Sequence, residues 1–179
     1  MREHHISVTR TARYVTLGDA DRLPGEVWFV CHGYAQLAAR FARDFEAIDD
    51  GSRLIVVPEA LSRFYLDSGP GAHGAESGDT RVCVLGFSQG VATVCRWLAR
   101  GRARASRLIL WGATVPPEFD FERDAAALRD AELWLVAGTR DKFTTIERVT
   151  AERERLRAHD IPHRFVTFDG GHRLDSDVL

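Results

Sequence analysis

Apolar residues gather along this chain in short runs, separated by polar and glycine-bearing connections. Runs at 13–17, 27–31, 54–57, 82–85, 108–111, 133–137 and 164–168 are rich in Val, Leu, Ile and aromatic residues, and they predict seven strands. Leu-Ile-Val-Val at 54–57 and Val-Cys-Val-Leu at 82–85 are continuously apolar. That is the pattern of strands covered on both faces, as in a parallel sheet. Between the strands, 36–48 places Leu37, Phe41, Phe45 and Ile48 on one helical face, and 91–100 carries Val91, Val94 and Leu98 at similar spacing. A third helical stretch, 144–158, opens with a threonine and runs from acidic to arginine-rich. Strand alternating with helix predicts an open, mostly parallel α/β sheet flanked by helices, whose ligands bind beyond the carboxyl ends of the strands.

At 179 residues the chain is long enough for one well-buried core, so a single domain over 1–179 is expected. A net charge of -2, with basic residues interspersed among acidic ones, leaves no positive stripe for phosphates and argues against a nucleic-acid partner. Cys31, Cys83 and Cys95 sit in apolar runs without metal-ligand spacing, and read as buried thiols. The opening MREHHISV lacks a basic-then-apolar leader pattern, and no apolar run reaches the roughly 18 residues of a membrane span, so a cytoplasmic location is expected. One stretch is irregular: 58–80 contains Gly69, Pro70, Gly71, Gly74 and Gly78 and offers no amphipathic helix.

The sharpest chemical signal is Gly86-Phe87-Ser88-Gln89-Gly90, set between an apolar strand and a helix. It reads as a nucleophile elbow, in which a strained turn projects the serine Oγ and flanking glycines admit closely approaching backbone. With 15 Gly in 179 residues, roughly 0.05 chance matches to the bare pattern are expected. The strand before it and the helix after it add the specificity the bare pattern lacks.

A serine hydroxyl needs a base within hydrogen-bond reach and a third group to orient that base. His172, in the loop after the last predicted strand, is the candidate base. Asp141, in Gly138-Thr139-Arg140-Asp141, is the candidate acid; Asp169 and Asp175 compete with it, but their closeness to His172 in sequence suits loop caps better. The order Ser, Asp, His is the one used by α/β-hydrolases. Two backbone donors for an oxyanion are expected from the N–H of Gln89 and, in His32-Gly33-Tyr34-Ala35, from the N–H of Tyr34. His32 itself is read as structural. Phe64, Tyr65, Trp97 and Trp111 could line an acyl pocket, although aromatic residues in such runs are more often core.

His32-Gly33-Tyr34, the string Gly86-Phe87-Ser88-Gln89-Gly90 followed by Val91-Ala92, Gly138-Thr139-Arg140-Asp141 and Gly170-Gly171-His172 together resemble the phospholipase/carboxylesterase family of α/β-hydrolases, which includes acyl-protein thioesterases and small bacterial esterases. The resemblance covers most of the chain. It implies an α/β-hydrolase fold and hydrolysis of a small-molecule carboxylic ester or thioester through an acyl-enzyme, with no metal or organic cofactor.

The chain departs from that family in two places. The helix expected before the nucleophile strand is missing from 58–80, and no helix is foreseen between His172 and Leu179. Both losses would uncover apolar sheet surface, with 82–85 showing its side chains to water. Two explanations are expected to compete: a homodimer in which a second copy covers the face, or residues missing between Leu66 and Arg81, near 77–78. Two other functions remain open: a non-catalytic binding module on the same fold, and an acyltransferase or amidase using the same three residues.

Overall fold

The computed structural model describes residues 11–60 and 80–179. Seven strands form one sheet: β1 (Tyr14–Leu17), β2 (Glu26–Cys31), β3 (Arg53–Pro58), β4 (Arg81–Phe87), β5 (Arg107–Trp111), β6 (Glu132–Gly138) and β7 (Arg164–Phe168). Their order across the sheet is β1-β3-β2-β4-β5-β6-β7, antiparallel at β1 and parallel elsewhere. All seven runs chosen from the sequence are strands, with boundaries shifted by at most about two residues. The chain therefore has the mostly parallel α/β architecture its pattern predicts.

Continuous apolarity has the reason inferred for it. In β4, Val84 points into one core cluster while Cys83 and Leu85 point into the other, and all three are fully buried. Strand β5 repeats the alternation, with Leu108 and Leu110 on one face and Ile109 and Trp111 on the opposite one. Because successive side chains point to opposite faces, only a strand covered on both sides needs apolar residues at every position.

The first cluster is covered by α2 (Gln89–Arg100), α3 (Phe121–Asp124), α4 (Ala126–Arg129) and α5 (Ile146–Ala158). The short α3 and α4 fall in a connection where no helix was foreseen; four residues each is too few to show a periodicity, and Pro116-Pro117 interrupts the run before them. Helix α5 starts at Ile146, with the Thr145 hydroxyl accepting from the Arg148 N–H as its cap.

The second cluster is covered by α1 (Ala38–Phe41), which continues as a 3-10 helix, Ala42–Ile48. The single helix expected over 36–48 is thus divided. Leu37 is the extended residue before α1 and is about half exposed, whereas Phe41 and Phe45 are buried and stack edge-on at 5.2 Å. Arg53 closes the far end by donating to the Ile48 carbonyl at 2.9 Å.

This packing corrects the expectation that 82–85 is open to water. Phe41 and Phe45 belong to the cluster that buries Cys83 and Leu85, so the chain's own side chains cover β4. The face thins farther along, where Trp134 and Val166 are only half-buried and the Arg164 guanidinium lies 4.9 Å from the Trp134 ring. The end of the chain adds Leu174, Val178 and Leu179 to this cluster from a turn, Asp175 accepting from the Val178 and Leu179 N–H groups, and not from a helix. The stretch in which a gap was expected, near 77–78, lies outside the described residues, as do Phe64 and Tyr65.

Cys83 and Cys95 are buried and unbridged, and burial pushes the Cys83 thiol up to about 11. No helix among the described residues is long and apolar enough to cross a membrane. Replacing the fully buried Phe45 with alanine is expected to lower stability by about 3–5 kcal/mol, read from the urea midpoint at constant m-value.

Candidate active site

The register brings five loops to one edge of the sheet. Cys31 pairs with Gly86, Phe87 with Trp111, Trp111 with Val136, and Gly138 with Phe168. The residues that follow these positions, His32–Tyr34, Ser88, Gly112, Asp141 and His172, therefore emerge side by side at the carboxyl edge. The strand order also reverses here: β3 lies to one side of β2 and β4 to the other, which makes this edge the topological switch point where ligands of open α/β sheets bind.

Ser88 joins β4 to α2 with φ 53° and ψ -118°, outside the regions comfortable for a residue with a side chain. Its N–H donates to the Trp111 carbonyl at 2.8 Å, and its carbonyl accepts from the Val91 N–H at 3.0 Å. Both flanking glycines are required by space. A Cβ at Gly86 would lie 2.6 Å from the Val91 nitrogen and Cα, and one at Gly90 would collide with the carbonyls of Cys31 and His32.

Ser88 Oγ lies 2.8 Å from His172 Nε2, and His172 Nδ1 lies 2.7 Å from Asp141 Oδ2. The other Asp141 oxygen accepts from the Phe143 and Thr144 N–H groups at 2.8 and 2.9 Å, so a buried carboxylate has both oxygens satisfied and a fixed orientation. A carboxylate only accepts. Nδ1 therefore carries the imidazole proton, and Nε2 is left to accept from the serine hydroxyl. The ring lies between Phe87 and Phe143, each 5.0 Å away by centroids, and the Trp111 indole N–H donates to the neighbouring Arg173 carbonyl at 2.9 Å.

The competing acids are engaged elsewhere. Asp169 is exposed and pairs with Arg140; Asp175 pairs with Arg173 at 2.6 Å and accepts from the Asp177 N–H. His32 also stays apart from the serine. Its Nε2 accepts from the Ala60 N–H at 3.4 Å, its Nδ1 donates to the Gly33 carbonyl at 2.9 Å, and Glu59 lies 3.5 Å away. It braces its own loop. In that loop the Gly33 N–H donates to Gln36 Oε1 at 2.7 Å, and a Cβ on Gly33 would sit 3.2 Å from Ser88 Cβ, which brings Gly33, the residue before Tyr34, alongside the serine.

A cleft of about 300 Å³ opens at Ser88 and His172, between the start of α2 (Gln89, Ala92, Arg96), the loop Gly112–Glu118 and the loop carrying Phe143 and Thr144. Trp97 and Trp111 do not line it: Trp97 packs on Phe29 and Trp111 lies in the core. Sequence reading missed Phe143, Thr144, Arg148 and Glu118. Thr144 was taken as the first residue of a helix, whereas it is buried and donates its hydroxyl to the Gly112 carbonyl at 2.7 Å, joining two walls of the cleft. Among the described residues, no group of three His, Cys, Asp or Glu side chains comes together as a metal site.

No family model matches the sequence, and no curated protein sequence matches it. Solved structures do match its fold. Acyl-protein thioesterase 2 of Zea mays superimposes with a TM-score of 0.67 at 15% identity, over 93% of this chain and 94% of that one. A phospholipase/carboxylesterase from Dyadobacter fermentans gives 0.66 at 14% identity, over 96% and 94%. The esterase PE8 gives 0.66 at 15% identity, over 94% of each chain. The fold is that of an α/β-hydrolase. Introducing a Cβ at Gly90 should cost about 2 kcal/mol or more, because the obstruction is the backbone of Cys31 and His32 and not a side chain that could turn aside; the urea midpoint of Gly90→Ala measures it.

Proposed function

We infer that this chain is a serine hydrolase of the phospholipase/carboxylesterase type, cleaving carboxylic esters or thioesters through an acyl-enzyme on Ser88. One observation carries the assignment: an unbroken hydrogen-bonded line from Ser88 Oγ through His172 to the buried Asp141, at 2.8 and 2.7 Å, starting from a strained elbow. A loop serine paired with a histidine by accident has no reason to sit in unfavourable backbone geometry. The fold shared with thioesterase and esterase structures supports the same chemistry.

In the proposed reaction, Ser88 Oγ attacks the substrate carbonyl while its proton passes to His172 Nε2. Asp141 stabilises the imidazolium that forms. The negative charge on the carbonyl oxygen is met by the N–H of Gln89, at the start of α2, and by that of Tyr34. Tyr34 is the choice in its loop because the Gly33 N–H is already occupied by Gln36. Collapse of the tetrahedral intermediate expels the alcohol or thiol, which takes its proton from Nε2. Water, deprotonated by the same nitrogen, then attacks the acyl-enzyme and frees Ser88.

Ser88→Ala should lower kcat for p-nitrophenyl butyrate by at least about 10³-fold in a protein that still unfolds cooperatively, and a serine-directed phosphonate should label Ser88 alone. Retention of a tenth of the wild-type rate would overturn the assignment. Asp141→Asn should cost about 10³–10⁴-fold in kcat by favouring the wrong imidazole tautomer, while Asp169→Asn should cost less than about tenfold. The opposite ranking would move the orienting acid to Asp169.

A further inference from the structure

The cleft beside Ser88 is lined by three charged side chains apart from the histidine: Arg96, Glu118 and Arg148. Arg96 and Glu118 neutralise each other, since Nε and Nη2 of Arg96 both donate to the same Glu118 oxygen. Arg148 is different. Its Nη1 donates to the Phe143 carbonyl at 2.8 Å, and among the described residues no carboxylate lies within ion-pair distance of its guanidinium. The acid next to it in sequence, Glu147, is engaged by the Thr145 side chain and its own backbone. Among the described residues, Arg148 is thus the one charged side chain lining the cleft that has no opposite charge within ion-pair distance.

Arg148 is also in an awkward place for a cation. It occupies the first turn of α5, at the positive end of the helix dipole, where basic residues are disfavoured and acidic ones favoured. Its hydrogen bond to a carbonyl does not require a guanidinium, because a neutral donor would serve. A residue that departs from a local rule at the mouth of a reactive site points to a ligand. Beside it, Phe143 is 70% exposed and packs against His172, offering an apolar strip between the serine and the guanidinium.

We propose that the cleft selects esters that carry a carboxylate a short distance from the scissile carbonyl, and that Arg148 is the residue that recognises it. This inference rests on the hydrolase function assigned to Ser88. A carboxylate fits better than a phosphate monoester: a single guanidinium matches a monoanion, whereas the phosphate carries about -1.5 to -2 at neutral pH. At about 300 Å³ the cleft has room for a short dicarboxylic monoester.

The test compares kcat/KM for p-nitrophenyl hydrogen glutarate with that for p-nitrophenyl pentanoate, and for 4-acetoxybenzoate with that for phenyl acetate, so that the carboxylate is offered on the acyl and on the leaving-group side. In one pair, the ratio of anionic to neutral ester should fall about tenfold in Arg148→Gln and reverse further in Arg148→Glu, with Arg148→Lys keeping most of it. The wild-type ratio should shrink as ionic strength rises. Using a ratio removes any general loss that comes from releasing the Phe143 loop, and thermal unfolding confirms that each variant is folded. Ratios unchanged by Arg148→Gln in both pairs would overturn the proposal. Should the wild type cleave none of the four esters, the hydrolase assignment fails by itself. Calorimetric binding of glutarate, which needs no turnover, then decides the carboxylate site: binding weakened about tenfold in Arg148→Gln upholds it, and equal binding overturns it.

Discussion

The close approach of the elbow to strand β2 is the contact on which the site depends. At Gly90 the first turn of α2 lies against the carbonyls of Cys31 and His32, with no room for a side chain between them. That approach docks the start of a helix on the central strands, holds Ser88 at positive φ, and sets the loop after β2 next to the serine. It also sets the N-terminal N–H groups of a twelve-residue helix directly after Ser88, where the proposed reaction develops negative charge. A residue larger than glycine at 90 would separate these parts together, not one at a time.

The remaining members of the site reach it from the other half of the sheet, and each is held by backbone. Asp141 is anchored by two N–H groups of its own loop, Thr144 fastens that loop to Gly112, and the Trp111 indole holds the chain just after His172. Rigid placement matters because a base that must be found by side-chain motion loses much of the benefit of a positioned proton acceptor. Helix α5 extends the same bracing. Its Glu152 accepts from the Val115 N–H and Arg155 donates to the Val115 carbonyl, so an ion pair with a buried carboxylate grips the residue between Thr114 and Pro116 of the cleft wall from both sides.

Among the described residues, four helices pack over one face of the sheet, while the other has α1, its 3-10 extension and the turn that carries Val178 and Leu179. Phe41 and Phe45 stand at the centre of that second cover, since two buried rings exclude water from the central strands. Their edge-on contact lies directly behind the elbow, with Phe87 6.1 Å from Phe41 and 5.0 Å from His172, so this face backs the site with packed aromatic rings.

The seven strands, the parallel character of the sheet, the elbow serine and the order Ser88, Asp141, His172 were legible in the sequence, because each depends on residue types at short separations: apolar runs, glycines two residues either side of a serine, a loop after a strand. The cover of the sheet was misjudged at 82–85, since whether an apolar side chain meets water depends on which distant residues fold over it, and only the packing of Phe41 and Phe45 shows that. Chain order and loop position favoured Asp141 over Asp169 and Asp175, but which of the three carboxylates faces the His172 ring is a matter of tertiary geometry. The unpaired charge of Arg148 lies furthest from sequence reading. A charge is compensated or not according to the carboxylates brought within a few ångströms of it, and only the fold shows that no described carboxylate comes that close to Arg148.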